Sequence, residues 1–273
     1  MADLVGVATW NFGEGTLAER IDRFAGMGFN AVGLNTRDAR PLARGEMPDV
    51  DDAILRHGLP VTIHGGLAPK GEEIQPDAVL ADFKSITAWQ ARTGALVSVN
   101  FDAAKSRADS GVFEPQTEAM HRVLKEMLVI SDGAGFTVGI EDWPLTAEHH
   151  RVVEDLMAFG HYGMLLDLGH MNMRIRKNTD PNARFPIDAA REYLDQMALP
   201  VNELHVHNND GVHDLHAPPT SGTADLTAVA SLLAAKGVKC ISTIELVPAW
   251  CGLTEEQGWE GLPKALEFWR QVF

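Results

Sequence analysis

The sequence is poor in cysteine and in positive charge. Its 273 residues include only two cysteines, and 23 lysines and arginines stand against 38 acidic residues, a formal net charge of -15. Two cysteines are too few for a disulfide framework. The excess of negative charge would repel a polyanion at long range. We therefore expect a small-molecule substrate and no nucleic-acid partner.

Long apolar runs and a nucleotide-binding fingerprint are also missing. No run of eighteen apolar residues occurs, and the first ten residues, MADLVGVATW, read as a short strand without a basic leader. We expect a cytoplasmic protein with no membrane contact. The first strand-to-helix turn, NFGEGT (11–16), lacks the G-x-G-x-x-G pattern, which disfavours an open nucleotide-binding sheet.

The chain does contain short runs of Val, Ile, Leu and Thr, each followed by a longer stretch with apolar residues at helical spacing. Examples of these stretches are residues 17–28, 117–135 and 226–237, which all end on glycine. The strand candidates are 4–10, 30–35, 60–65, 95–101, 136–142, 163–169, 201–208 and 239–246. Eight strands at about 34 residues per unit predict a single (β/α)₈ barrel domain covering residues 1–273.

Polar residues recur near the ends of the last four predicted strands. Because side chains alternate along a strand, apolar neighbours directed toward the helices imply that the polar residues between them point into the barrel. This alternation directs inward the following residues: Glu141, Asp167, His207 and Glu245. His205 also faces inward one step below His207, where packing behind the other four is the expected role.

Several carboxylates that face one lumen repel each other unless a cation or protons neutralise them. A divalent metal held by Glu141, Asp167, His207 and Glu245 resolves this conflict. Such a set, rich in oxygen ligands, suits Mn²⁺ first, then Mg²⁺, and also accepts Co²⁺, Fe²⁺ or Zn²⁺. The alternative is that each carboxylate pairs with its own Lys or Arg and that His207 is a neutral core residue.

These residues resemble the xylose-isomerase-like barrel superfamily, which contains sugar isomerases, sugar phosphate isomerase/epimerases and endonuclease IV type AP endonucleases. The resemblance spans essentially the whole chain. Its carriers, in order, are Glu141, the D-x-G-H of Asp167 to His170, the H-N-N-D of His207 to Asp210, Asp214-Leu-His216, Gly222 with Asp225, and Glu245.

The epimerase branch implies that Glu141, Asp167, His207 and Glu245 bind the metal and that His170 contacts the substrate. Glu141 and Glu245 would also act as acid and base. The resemblance thus implies an isomerase or epimerase of a sugar or sugar-derived carbonyl compound, with proton transfer through a metal-stabilised enediolate. A homo-oligomer is a further expectation at the level of the family.

The endonuclease branch implies a second metal on His170, Asp214 and His216. That branch also places a histidine on each of strands three and four. His64 matches the first, but strand four ends with Asn100 and Asp102, so a three-metal centre is not expected. His64 is instead assigned to substrate binding, as are Trp10 and Trp143, which end strands one and five and would either wall the pocket or pack ordinarily.

Three alternative functions stay open. The first is an endonuclease IV-like phosphoesterase, favoured by Asp214-Leu-His216 and disfavoured by the net charge. The second is a lyase that uses the same enolisation chemistry, and the third is a sugar-binding protein without turnover. The basic segment 173–185 could bind an anionic group of the substrate, form an oligomer contact or be a solvated loop.

Overall fold

The structure is a computed structural model that describes residues 4–69, 72–103, 105–107, 113–142, 145–177 and 184–273. Within these ranges it has the following strands: Val5–Val7 (β1), Val32–Asn35 (β2), Val61–Gly66 (β3), Leu96–Asp102 (β4), Lys105–Arg107 (β5), Phe113–Pro115 (β6), Thr137–Glu141 (β7), Tyr162–Asp167 (β8), Val201–Val206 (β9) and Ile241–Ile244 (β10).

The α-helices lie between these strands and after the last one. They are Leu17–Gly26 (α1), Thr36–Ala43 (α2), Pro48–His57 (α3), Pro76–Thr93 (α4), Thr117–Ile130 (α5), Ala147–Leu156 (α6), Leu168–Arg176 (α7), Ile187–Asp195 (α8), Leu226–Ala235 (α9) and Glu255–Val272 (α10). Short 3₁₀ helices cover Thr9–Asn11 and Pro248–Trp250. Among the described residues, none of the helices combines the length and the apolar character needed to cross a bilayer.

Each of the eight predicted strands is present, with bounds that differ by a few residues. The largest difference is in β1, which ends at Val7 instead of residue 10 because a 3₁₀ helix covers Thr9–Asn11. β8 ends at Asp167 instead of residue 169 because α7 begins directly at Leu168. The short antiparallel pair β5 and β6 was not predicted. Strands of three residues are too short to produce a periodic pattern.

The described residues divide into two compact units, and the first comprises those of Met1–Gly33, Leu166–Met197 and Val201–Phe273. In this unit β10 lies between β1 and β9, and both pairings are parallel. Ala8 also bridges to Gly33 in β2 in the parallel sense. The C-terminal ends of β9 and β10 therefore lie on the same side, and the side chains that follow these strands come close together.

The core of the first unit contains a cluster of aromatic rings on α1, α10 and the segment after β1. The ring of Trp259 lies 4.5 Å from that of Phe12 and stacks on Phe24 at 5.0 Å. All three side chains are buried. The guanidinium of Arg23 covers the outer face of Trp259 at 3.8 Å, a cation–π contact. This cluster attaches the first and last helices of the chain to each other.

The second unit comprises Leu34–Leu165 and Ala198–Pro200. Its strands follow the order β2, β3, β4, β7 and β8, with parallel pairing of β3 with β4, β4 with β7 and β7 with β8. Trp89 in α4 is buried in this unit and donates a hydrogen bond from Nε1 to Asp51 Oδ1 at 2.8 Å. At least one helix separates each strand of this order from the next along the chain, as a βα repeat requires.

Substitutions of two tryptophans in the first unit test how much the aromatic cluster contributes to the free energy of unfolding. We expect Trp259→Ala to lower the free energy of unfolding by about 3 to 5 kcal/mol, because it removes a buried ring and leaves a cavity. The matched substitution Trp250→Ala, at a side chain that is 57% exposed, should cost less than about 1 kcal/mol. Urea titrations followed by circular dichroism measure both, and equal losses would contradict the expectation.

Candidate metal and proton-transfer site

The junction between β8 and α7 positions the first candidate ligand. Asp167 ends the strand and is also the N-cap of the helix, because its Oδ1 accepts a hydrogen bond from the backbone N–H of His170 at 2.8 Å. A carboxylate at this position satisfies an amide that the helix leaves unpaired. The same bond fixes His170 on the first turn of α7. Helix capping thus explains Asp167 of the D-x-G-H motif and its spacing to residue 170.

The glycine of this motif has a steric role. A Cβ atom on Gly169 would lie 2.0 Å from Cε1 of His207, far inside van der Waals contact. The His207 ring therefore occupies the space that any other residue at position 169 would fill. Close contact between α7 and the residue after β9 requires glycine here.

A buried cluster at the C-terminal ends of β8, β9 and β10 combines Asp167, His205 and Glu245, which we call the carboxylate cluster. His205 Nδ1 lies 3.0 Å from Glu245 Oε2 and 3.8 Å from Asp167 Oδ2. One ligand atom from each of the three residues lies within 4.8 Å of the others. His207 adjoins the cluster, with Nε2 at 2.9 and 3.1 Å from the two Asp167 oxygens.

A second group adjoins the first, and we call it the histidine cluster: His170, His207, Asp214 and His216. Asp214 bridges two imidazoles, with Oδ2 at 3.1 Å from His170 Nε2 and Oδ1 at 3.2 Å from His216 Nε2. The rings of His207 and His216 stack at 3.8 Å and are nearly parallel. Four ligand atoms, one from each residue, lie within 4.8 Å of one another.

His216 and Glu245 carry opposite charges at neutral pH. Burial lowers the pKa of His216, but Glu245 and Asp214 raise it more, to about 9. Burial raises the pKa of Glu245, but the imidazoles of His205 and His216 lower it more, to about 2. His216 Nδ1 lies 3.5 Å from Glu245 Oε2 and 3.1 Å from the Glu245 carbonyl oxygen. Glu245 is therefore an ionised base that a cationic imidazole stabilises.

The other two carboxylates are also ionised. Burial raises the pKa of Asp167, yet the imidazoles of His170 and His207 hold it well below its usual range. Burial likewise raises the pKa of Asp214, and hydrogen bonds with His170 and His216 lower it by more. These imidazoles thus keep ionised two carboxylates that burial alone would tend to protonate. A cation placed among them would have the same effect.

The segment after β9 carries Asp214 and His216, and two asparagines of the H-N-N-D motif hold it. Asn208 donates from Nδ2 to Ala224 O at 3.1 Å and accepts at Oδ1 from Ala224 N at 3.1 Å. Asn209 donates from Nδ2 to Gly169 O at 2.9 Å, which ties this segment to α7. Both asparagines are buried. The motif therefore closes a loop whose tip presents two members of the histidine cluster.

Glycine and aspartate further along this segment also have structural roles. Gly222 has φ +132°, and a Cβ there would lie 2.4 Å from Asn208 Oδ1. Asp225 caps α9, since its Oδ1 accepts from Ala228 N at 3.0 Å. His216 itself has φ +44°, the only positive value for a non-glycine residue among the described ones. Such a conformation costs energy and is typical of functional positions.

Two of the predicted site residues lie in the second unit. Glu141 is the last residue of β7 and is buried. His64 lies in β3, paired in register with Asn100, and its Nε2 is 3.2 Å from Asp102 Oδ1. The aspartate that stands on strand four, where the endonuclease branch has histidine, is therefore a partner of His64. The assignment of Glu141 to the metal stays a prediction.

Of the predicted aromatic residues and the basic segment, the structure shows ring or hydrogen-bond contacts for Trp10, Arg174 and Arg176. Trp10 lies in the first unit within Thr9–Asn11, is half-buried, and has its ring 6.4 Å from that of His205. Trp143 lies outside the described residues. In the basic segment, Arg174 covers the ring of Tyr193 at 5.2 Å. Arg176 is buried and donates to Thr223 O at 3.0 Å, a structural contact and not a free anion-binding group.

His205 is the residue whose contact with Glu245 the sequence did not reveal. The alternation of β9 placed it inward, but as packing behind the ligands, whereas the structure brings Nδ1 within 3.0 Å of Glu245 Oε2. Below it, Nε2 lies 3.7 Å from Glu203 Oε1, which also accepts a hydrogen bond from Thr243 Oγ1 at 2.7 Å. The H-x-H spacing on one strand was the available signal, because both imidazoles face the same side.

Substitution of Gly169 tests the packing at the β8–α7 junction. We expect Gly169→Ala to lower the free energy of unfolding by about 1 to 3 kcal/mol, because the new methyl group displaces the His207 ring. It should also shift the imidazole ¹⁵N resonances of His207. Gly261→Ala, in open space on α10, should instead stabilise the protein by about 0.5 to 1 kcal/mol. Unchanged His207 resonances in Gly169→Ala would contradict this account.

Comparison with known proteins adds three solved structures of similar fold. A 3-keto-D-glucoside 4-epimerase from E. coli has 18% sequence identity and a TM-score of 0.68, over 98% of this chain and 99% of that one. A D-psicose 3-epimerase from Clostridium cellulolyticum H10, solved with D-tagatose, has 15% identity and a TM-score of 0.70, over 98% of both chains. The IolI protein, solved with a zinc atom, has 14% identity and a TM-score of 0.67, over 98% and 99%.

At these identities the structural matches support the fold alone. The search of curated proteins finds no match to this sequence. The family model described as xylose isomerase-like TIM barrel, however, matches residues 21–272, which is most of the chain. This match confirms the predicted (β/α)₈ fold class and the resemblance drawn from the sequence motifs. The chain belongs to the xylose isomerase-like TIM barrel family.

Proposed function

We propose that this protein is a divalent-metal-dependent isomerase or epimerase that acts on a sugar or a sugar-derived carbonyl compound. The observation that carries the proposal is the carboxylate cluster, in which two ionised and buried acids share one imidazole at the C-terminal ends of β8, β9 and β10. In TIM barrels this end of the strands holds the active site. Sugar epimerases among proteins of the same fold support the choice of substrate class.

The chemistry of the donor set fits a divalent metal. Asp167 raises the pKa of Glu245, so the two carboxylates are close enough to repel each other. The 3.0 Å between His205 Nδ1 and Glu245 Oε2 matches the spacing of about 3 Å between adjacent ligands that each lie about 2.1 Å from a metal. His207 Nδ1 is buried without a hydrogen-bond partner among the described residues.

Asp167, Glu245 and His205 would hold the metal, and Glu141 and His207 are the ligands that the sequence adds. Mn²⁺ is expected first, with Mg²⁺, Co²⁺, Fe²⁺ or Zn²⁺ as alternatives. A solved structure of similar fold carries zinc. When bound, such an ion neutralises the carboxylates and polarises a substrate carbonyl.

The residues of the chain supply the proton chemistry. Glu245, which is ionised at neutral pH, accepts the proton from the carbon beside the carbonyl, and the electron pair of that C–H bond forms the enediolate. Its Oε2 lies 3.0 Å from His205 Nδ1, which places the base beside the proposed metal ligands. Glu141 is the predicted acid that returns a proton, either to the same carbon on the opposite face or to the neighbouring carbon. The first outcome is epimerisation, and the second is aldose–ketose isomerisation.

In this proposal the substrate is positioned by the following side chains: His170, His64, Trp10 and Trp143. His170 is suited to it because α7 fixes its backbone and Asp214 orients its ring. His64 is oriented in the same way by Asp102. A cytoplasmic location and a homo-oligomeric assembly stay predictions, as does a single domain that spans residues 1–273.

Solvent isotope exchange tests the proposed reaction. We expect Mn²⁺-loaded protein in D₂O to incorporate deuterium beside the carbonyl of a ketohexose such as D-psicose. Glu245→Gln should slow this exchange by about 100-fold or more, because an amide neither accepts the proton nor retains the metal. His213→Asn, an exposed pair with Asp210 in the same loop, serves as the matched control. Absence of exchange and of any sugar turnover in the loaded wild type would refute the proposal.

The histidine cluster favours a second candidate function. Asp214 between His170 and His216 is the arrangement that the endonuclease branch uses for a further metal, and the structure assembles these residues together with His207. A centre with more than one metal would suit metal-assisted hydrolysis of a phosphoester. A lyase that uses the same enolisation step would be recognised by its products, which contain a new double bond.

Metal content separates the two functions. We expect one metal ion per chain by mass spectrometry, lost in Glu245→Gln and retained in His216→Ala, because the isomerase needs only the carboxylate cluster and its added ligands. Two or more ions per chain, with one lost in His216→Ala, would instead support the phosphoesterase. Absence of metal in the wild type, even after reconstitution, would contradict both.

A further inference from the structure

Trp250 is the only exposed tryptophan, tyrosine or phenylalanine among the residues whose side chains the structure describes. Its exposed fraction is 57%, whereas Trp89, Trp259 and Trp269 are almost fully buried. An isolated exposed aliphatic residue is ordinary, but an indole is the largest apolar surface that a protein can present to water. Tryptophan is also one of the residue types that are enriched at binding interfaces.

The indole is carried by a backbone that is well anchored. Pro248 begins the 3₁₀ turn, which is closed by hydrogen bonds from Cys251 N and Leu253 N to Pro248 O at 3.2 and 2.9 Å. Pro248 packs so closely on α10 that a Cβ on Gly258 would lie 2.3 Å from its Cγ. The position of Trp250 is therefore determined by the fold, and little conformational entropy would be lost on binding.

The turn also places Trp250 beside the site described above. Its ring lies 5.1 Å from that of His216 in an edge-to-face arrangement. Val247 N donates to His216 O at 3.0 Å, so the turn and the histidine are joined through their backbones as well. Only four residues separate Trp250 from Glu245 in the chain. The indole therefore lies against the same histidine whose Nδ1 is 3.5 Å from Oε2 of the proposed base.

We infer that Trp250 is a specificity-determining residue, whose indole binds the apolar C–H face of the sugar substrate. The inference rests on the proposed function and extends it. Sugar C–H groups carry a small positive charge and are attracted to the negative face of an aromatic ring. The hydroxyl groups on the other face of the sugar remain free for the polar residues of the site. A ring also distinguishes sugars by which hydroxyls point toward it.

Kinetics of Trp250 variants test this role. For the Mn²⁺-loaded enzyme with its best ketohexose, we expect Trp250→Ala to raise KM about tenfold and to change kcat by less than about twofold. Trp250→Phe should retain most of the affinity, whereas Trp250→Leu, apolar but without a π face, should behave like Trp250→Ala. Val129→Ala, which removes an exposed apolar side chain in the second unit, is the control and should leave both constants unchanged.

Calorimetric titration of the corresponding hexitol, which has no carbonyl to enolise, measures the affinity without turnover, and the same order of variants is expected. A KM and an affinity of Trp250→Ala within twofold of wild type would overturn the inference while leaving the proposed function intact. A changed sedimentation coefficient with unchanged kinetics would also overturn it, because the indole would then contact a second copy of the chain. Wild-type protein that neither binds nor converts any sugar would overturn both proposals together.

Discussion

The contact on which the site depends is the hydrogen bond from the backbone N–H of His170 to the Asp167 carboxylate. It lies where β8 ends and α7 begins, and it fixes the acid of Asp167 relative to the backbone of His170, three residues further on. The cap also ties ligand geometry to helix stability. A movement of the Asp167 carboxylate away from its observed position would leave an amide of the first turn unpaired, which is unfavourable. Fold and site are therefore stabilised by the same interaction.

Around this junction, the cost of burying charge determines which residues are compatible with the site. Asp167 and Glu245 are nearly inaccessible to water and still ionised, which is unfavourable without positive charge nearby. His216 supplies such a charge, since Glu245 and Asp214 raise its pKa to about 9. Histidine is suited to this role because it can hold a proton or give it up for a metal. Lysine could not coordinate a metal while it remained protonated.

Much of this arrangement could be read from alternation along strands. The eight strands were predicted because runs of six to eight residues rich in Val, Ile, Leu and Thr recur, with helical stretches between them, several of which end on glycine. Asp167 and Glu245 were predicted because their neighbours Leu166, Leu168, Ile244 and Leu246 are apolar, and all four neighbours are buried. Alternation identifies the face on which a side chain lies, and this was enough to bring the two acids together.

Alternation could not reveal how side chains on that face divide into groups. His205 and His207 share one face of β9, but the first contacts Glu245 and the second stacks on His216. This division depends on the ring of His207 lying against Gly169, a tertiary contact between residues 38 positions apart. The exact end of β8 was missed for a similar reason. Leu168 and Gly169 continue the apolar pattern, and only the cap on Asp167 starts the helix there.

The H-N-N-D motif explains how a loop can hold two side chains of the histidine cluster in place. Loops usually tolerate change, yet Asp214 and His216 lie in a segment held at both ends by buried amides. Asn208 binds the backbone of Ala224 beyond the loop, and Asn209 binds Gly169 on α7. The energy of these bonds offsets the strained backbone of His216. His216 can therefore contact Trp250 on one side and stack on His207 on the other. Its imidazole connects the exposed indole to the buried ring of His207.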